Sequence, residues 1–233
     1  MEFTVGPAGD LGLRLAFSHA PSPSLTHHLL SIQSAARRRF ADALLDSIVG
    51  YNTLTLSFKP LKLDRERAHH WLEEHASRAR SETDASENTC KTVTLPVLYH
   101  PSVAPDLEWL AAQKNLAVDD VITLHSGQSY FAYATGFAPG FCYLGTVDER
   151  LATPRIDTPR SEVPAGSVAI ADQQTAVYPC ASPGGWRLIG ACPLSLFNLA
   201  SDPAALLSVG DTVKFEPISL ADFQTMRDRR DQA

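Results

Sequence analysis

The chain has 233 residues, 44% of them hydrophobic and 20% charged, with a formal net charge of −6 from 20 basic and 26 acidic side chains. That apolar share excludes wholesale disorder, and an acidic chain lacks the basic footprint of a nucleic-acid binder. No run approaches the ~20 apolar residues of a membrane-spanning helix, and the start Met1-Glu2-Phe3-Thr4-Val5 has no signal-peptide character; a cytoplasmic protein with no membrane partner is expected.

Phe3 to Val5 and Leu13 to Phe17 read as two short strands around a Gly-Pro-Ala-Gly-Asp turn. Leu25, Leu29, Ile32, Ala36 and Phe40 recur at helical steps, with Ser24 placed to cap and Arg37, Arg38 and Arg39 suited to the C-terminal end of the dipole. Tyr51 to Phe58 alternates Leu54, Leu56 and Phe58 against Thr55 and Ser57, a strand with one buried face. Asp64 to Arg80 follows as a second helix. Strand, helix, strand, helix predicts a small α/β sandwich-like domain over residues 1–90. The polar stretch Ser81 to Thr92 reads as a linker, and residues 91–233 as a second domain.

The second domain opens on a strand, Val93 to Tyr99, then two short helices around Asp106 to Lys114 and Val118 to His125. Gln128 to Phe137 is strand-like. From Gly136 to Pro193 there are 7 Gly and 7 Pro in 58 residues and no lysine, with aromatic and aliphatic residues throughout. A helix does not survive such punctuation, and a disordered tract would not carry those apolar groups, so short strands of a small barrel are expected. Ser208 to Phe215 adds one more strand, and the charged tail from Leu220 is helical or frayed.

Familiar phosphate-loop, dinucleotide, hydrolase-elbow and zinc-protease motifs are absent. Cys90, Cys142, Cys180 and Cys192 form no C-x-x-C pair, and the histidines lack ligand spacing, so free thiols and no protein-bound metal are expected. One ordered run stands out. Thr-Pro-Arg occurs twice, ending at Arg155 and Arg160, where proline stiffens the loop and each guanidinium offers a planar fork for carboxylate or phosphate. Two such forks make an anion grip; equally, they pair with Asp148, Glu149, Asp157 or Glu162 as a surface network. Ser182-Pro-Gly184-Gly185-Trp186 offers close backbone approach to a ligand, or a tight turn with Trp186 plugging the barrel. His125 is either a helix-end cap or an acid/base near neutral pH, and Gln174 and Tyr178 either line a pocket or simply alternate along a strand.

Gly136-Phe-x-Pro-Gly-Phe-x-Tyr-Leu-Gly145, Leu151-Ala-Thr-Pro-Arg155, Thr158-Pro-Arg160, Val163-Pro-Ala-Gly-Ser-Val168 and Ser182-Pro-Gly-Gly-Trp186 stand in one order. That order resembles the KipI family, also called the B-type subunit of 5-oxoprolinase (PxpB) or allophanate hydrolase subunit 1. The resemblance implies an α+β chain with a C-terminal cyclophilin-like β-barrel. It further implies an ATP-hydrolysing 5-oxoprolinase component that is inactive without a KipA-like C-type subunit and a third subunit. ATP, with or without Mg, would be co-substrate. On that reading Arg155 and Arg160 hold phosphate or substrate carboxylate, and His125 or Gln174 handles a proton or orients water. Backbone donors would come from Ser182, Gly184 and Gly185 beside Trp186. KipI itself is an inhibitor of a histidine kinase, so a regulatory module is the alternative, and a component of urea or allophanate metabolism is another. The chain departs from the pattern at Cys142, where the family usually has proline, and at Ala191-Cys192, where it usually has Arg-Thr.

Overall fold

Leucine and phenylalanine at every second position build the first sheet. In the computed structural model, which describes residues 2–62, 64–78 and 90–231, strand β2 (Gly12–Phe17) lays Leu13 and Leu15 opposite Leu56 and Leu54 of β4 (Thr53–Phe58). All four side chains are buried. Strands β1 (Phe3–Pro7) and β3 (Leu44–Val49) flank them in an antiparallel sheet of order β1-β2-β4-β3. Helices α1 (Pro23–Phe40) and α2 (Arg65–Ser77) bury Leu25, Leu29 and Ile32, and Ala68 and Leu72.

Two details differ from the sequence reading. The cap of α1 is Ser22, not Ser24: Pro23 sits in the first turn, where no amide is needed, and the Ser22 hydroxyl accepts from the Leu25 amide at 3.2 Å. Strand β3 was not anticipated, because a register shift between Leu44 and Asp46 breaks the alternation that announces a strand. It is tied down from α1, where Gln33 donates to the Ser47 carbonyl at 2.7 Å and Arg37 to the Ser47 hydroxyl at 2.9 Å. The chain divides into two compact units, Met1–Cys90 and Lys91–Ala233. Most of the expected linker lies outside the described residues.

The second unit runs β5 (Thr92–Val97), α3 (Leu107–Lys114), α4 (Val118–Ser126), β6 (Ser129–Thr135), β7 (Cys142–Gly145) and β8 (Arg160–Val163). It continues with β9 (Ser167–Ala171), β10 (Gln174–Val177), β11 (Ser182–Gly184), β12 (Arg187–Ala191), β13 (Thr212–Pro217) and α5 (Leu220–Asp231). Seven strands form one sheet, β12-β9-β10-β7-β6-β13-β5, antiparallel except for the β13–β5 pair. The sheet curls until its two edges meet. Leu98, just past β5, exchanges both backbone hydrogen bonds with Ala191 of β12, at 2.8 and 3.0 Å. Gly190 lets this seam close, since a Cβ there would fall 2.7 Å from Val97 Cγ1. Val97, Tyr130, Leu144, Ile170, Ile189 and Phe215 fill the interior. The expected barrel of short, glycine- and proline-punctuated strands is present.

Candidate functional site

The two faces of β9, β10 and β12 carry different chemistry. Val168, Ile170, Val177 and Ile189 point into the barrel, whereas Ala169, Ala171, Ala176, Tyr178 and Leu188 belong to a second cluster on its outer side. Small alanines leave room there for rings. Phe141 meets Trp186 edge-on at 5.8 Å and Tyr178 at 5.5 Å, geometries that suit aromatic quadrupoles. Trp186 thus plugs this outer cluster, not the barrel interior.

The ribbon formed by β8 and β11 runs past that cluster, pairing Ser182 with Val163 and Gly184 with Arg160. The preceding proline-stiffened loop is pinned by the Ile156 amide, which donates to the Gly185 carbonyl at 2.8 Å. This seats Arg155 beside Trp186, its guanidinium carbon 5.9 Å from the ring centroid, within cation–π range. Arg155 is exposed and makes no hydrogen bond or ion pair among the described residues.

Arg160 is held quite differently. Its Nη2 donates to both Asp106 carboxylate oxygens, at 2.8 and 2.9 Å, and its Nη1 to the Trp186 carbonyl at 3.2 Å. Asp106 also accepts from the Leu188 amide at 2.6 Å. The acid that engages Arg160 is therefore 54 residues away, while Asp148 is taken by Arg150. Tyr178 is the hub between the two arginines. Burial raises its pKa, while the Trp186 amide donating to its oxygen and the charges of Arg155 and Arg160 pull it back. Gly184 makes the room, since any Cβ there would overlap the Tyr178 hydroxyl.

Arg155, Arg160, Ser182, Gly184, Gly185 and Trp186 are thus neighbours on this ribbon and the loop before it. Gln174 opens β10 opposite Gly145, four residues before Tyr178 or about 13 Å along an extended chain. His125 lies on the other side of the sheet wall, fully buried between the Tyr99 hydroxyl, 2.7 Å from Nδ1, and the Thr175 hydroxyl, 2.9 Å from Nε2. Burial pushes its pKa down to about 3, so the ring is neutral at physiological pH. Asp106 and the pivotal position of Tyr178 escaped the sequence reading. An acid before a helix reads as a cap, yet Asp106 makes no side-chain cap bond and turns to β12 instead. Among the described residues, no group of three or more His, Cys, Asp or Glu is placed to hold a metal, and no helix is long and apolar enough to cross a membrane.

Comparison with known proteins places these residues in context. The family model for the carboxyltransferase domain, subdomain C and D, matches residues 3–207. The B-type subunit of 5-oxoprolinase from Bacillus subtilis is 46% identical over 138 residues, covering 59% of this chain and 58% of that protein. Its namesake from Escherichia coli O157:H7 is 43% identical over 178 residues, covering 75% and 78%. The crystal structure of TTHA0988 superposes with a TM-score of 0.77 at 32% identity over 89% of this chain, which spans 40% of that longer one. The ribbon, the proline-stiffened arginine loop and the curled barrel strands up to β12 all fall inside the matched residues, and the chain belongs to the carboxyltransferase subdomain C and D family, among relatives named as the B-type subunit of 5-oxoprolinase.

Proposed function

We propose that the chain is the B-type subunit of an ATP-dependent 5-oxoprolinase, converting 5-oxoproline to glutamate together with a KipA-like C-type subunit and a third, A-type one. The names of its relatives support this reading. The observation that carries the site is Arg155, a cation over Trp186 with no anion against it among the described residues.

A lactam carbonyl is a poor electrophile. In an ATP-driven route the γ-phosphoryl group passes to the lactam oxygen and ADP leaves. Water then adds to the activated carbon, the C–N bond breaks to leave γ-glutamyl phosphate, and a second water releases phosphate and glutamate. Every stage presents anionic oxygens, and preorganised donors lower their cost. Arg155 meets the substrate carboxylate or a phosphoryl oxygen. Arg160 is the positioning residue: locked to Asp106, it holds the Trp186 carbonyl and so the ring on which Arg155 rests. Ser182 and Gly185 border the approach. His125, sealed and neutral, is left out of the chemistry. The sequence holds no standard phosphate loop, so the nucleotide site is completed by the partner chains, with Mg arriving on ATP.

The test is a reconstituted assay of the three chains with 5-oxoproline and ATP, following glutamate and ADP. Turnover is expected only with all three present. Arg155→Ala should then lower kcat/KM roughly a hundredfold, as loss of a transition-state donor does, with the fold intact by circular dichroism. A wild-type rate in that variant would remove Arg155 from the site. Absence of turnover from an intact complex would assign the chain another amide substrate.

A further inference from the structure

The loop that joins β6 to β7 presents an aromatic side chain to solvent. Its frame is fixed. The Gly136 amide donates to the Phe141 carbonyl at 3.2 Å, and the Phe141 amide to the Ala138 carbonyl at 3.0 Å. Gly140 seats the loop so closely that a Cβ there would fall 2.9 Å from the Leu196 carbonyl oxygen. Within that frame Phe137 takes left-handed backbone, with φ 75°, and is 61% exposed. Both features are unfavourable for phenylalanine. A bulky residue at positive φ is strained, and a ring left in water forgoes much of the gain of burial. Strain of this kind persists where the surrounding structure imposes it, and it concentrates at ligand sites.

The exposed ring stands beside the arginine site. It meets Phe141 at 5.2 Å and lies nearly perpendicular to Tyr178, at 6.2 Å and 87°. Tyr178 is buried, and the charge of Arg155 acts on its hydroxyl. Phe141 in turn meets Trp186, the ring beneath Arg155. An exposed ring and an exposed cation therefore border the same buried tyrosine. A ligand that engages both needs an anionic group and hydrocarbon within one small body. A phosphate group offers only the anion. 5-Oxoproline carries its carboxylate and two ring methylenes at adjoining positions, and so offers both.

We propose that Phe137 is the specificity-determining contact for the lactam ring: the substrate carboxylate sits on Arg155, and the two ring methylenes lie against the Phe137 ring. The assignment rests on the 5-oxoprolinase reading and adds to it the group that recognises the ring. It also decides which anion Arg155 holds, the carboxylate and not a phosphoryl oxygen. Covering the Phe137 ring returns the burial that the empty loop forgoes, and it favours hydrocarbon over a polar group at those ring positions.

The experiment uses the assembled three-chain complex, with 5-oxoproline as substrate and imidazolidone carboxylate as competitor. This cyclic-urea analogue keeps the ring size, carbonyl and carboxylate but has N–H in place of the methylene beside the carbonyl. Phe137→Ala should raise the KM for 5-oxoproline roughly tenfold, the worth of an apolar contact with two methylenes. Its kcat should stay within about twofold, because the contact is the same in ground and transition states. The Ki of the analogue should rise by no more than about threefold, since it has less hydrocarbon to lose. Phe137→Tyr, which keeps the ring, should retain the wild-type KM. Arg155→Ala should weaken substrate and analogue alike, since both carry the carboxylate. No turnover by the wild-type complex overturns the 5-oxoprolinase reading and this assignment with it. Turnover in which Phe137→Ala keeps the wild-type KM, or raises KM and Ki by the same factor, overturns the assignment alone.

Discussion

The barrel wall separates two polar clusters built from similar parts, and they end in opposite states. Inside, the Tyr99 hydroxyl donates to His125 Nδ1, and His125 Nε2–H donates to Thr175, whose own hydroxyl donates to the Ala169 carbonyl at 3.1 Å. The Tyr130 hydroxyl donates to the His125 carbonyl at 2.8 Å, and the Phe215 ring stacks on the imidazole at 4.5 Å. Every donor has its acceptor, the network assigns the Nε2–H tautomer, and no charge remains. Outside, Arg155 has a ring beneath it and, among the described residues, nothing ionic against it. A closed buried network holds an architecture together, whereas a charge left open beside aromatic rings is available to a ligand. The imidazole is the more reactive group by type and the less available by placement.

The largest effect separating the two clusters should come from Asp106, the outer face's anchor. Asp106→Ala strands a partly buried Arg160 and the Leu188 amide together, and breaking such a pair costs about 3–5 kcal/mol, toward the lower end here because Arg160 retains some solvent. Urea unfolding measures it. A loss below about 1 kcal/mol, the range of an exposed pair, would mean that the outer face is not held by this contact and that Arg160 is as open as Arg155. The intermediate effect is a pair of glycines. Gly184→Ala drives a methyl into the Tyr178 hydroxyl and should cost about 1–3 kcal/mol, as overpacking does. Gly185→Ala meets only ordinary contacts at 3.7 Å and should stay within about 0.5 kcal/mol. Equal losses would remove the steric reason for Gly184 and return the motif to a simple turn.

These particulars show what the sequence made legible. The Gly136 to Pro193 punctuation announced short strands, because proline and glycine act on the backbone locally. The alternation in Leu54, Leu56 and Phe58 announced a one-faced strand for the same reason. Strand β3 was hidden because, after its register shift, Ser47 takes an inward position while Leu45 and Ile48 face out. The arginine loop and the Ser182 to Trp186 ribbon were legible as a pair, but not the difference between the two arginines. That difference is set by Asp106, which sequence places on a helix start and the fold places against β12. His125 shows the same limit. Its spot at the end of α4 fits a cap or a catalyst, and only the inward face of β10, through Thr175, decides that it is neither exposed nor charged.

The finest prediction uses that interior imidazole as a reporter. Its folded pKa, about 3, lies below the ordinary value of 6.5 that it takes on unfolding. Between those values the unfolded chain binds a proton that the folded chain refuses. The contribution of His125 to stability is therefore complete above pH 6.5 and is lost as pH falls toward 3, with a slope of at most ~1.4 kcal/mol per pH unit from this one group. Unfolding free energies measured across that window should show the slope in the wild type, superimposed on that of the carboxylates. His125→Gln, which keeps a neutral hydrogen-bonding side chain, should lower stability at pH 7 and reduce the slope by that amount. A variant whose slope matches the wild type would mean that the imidazole takes up its proton in the folded barrel. The inner cluster would then be open to solvent like the outer one, and His125 would return to the catalytic candidates.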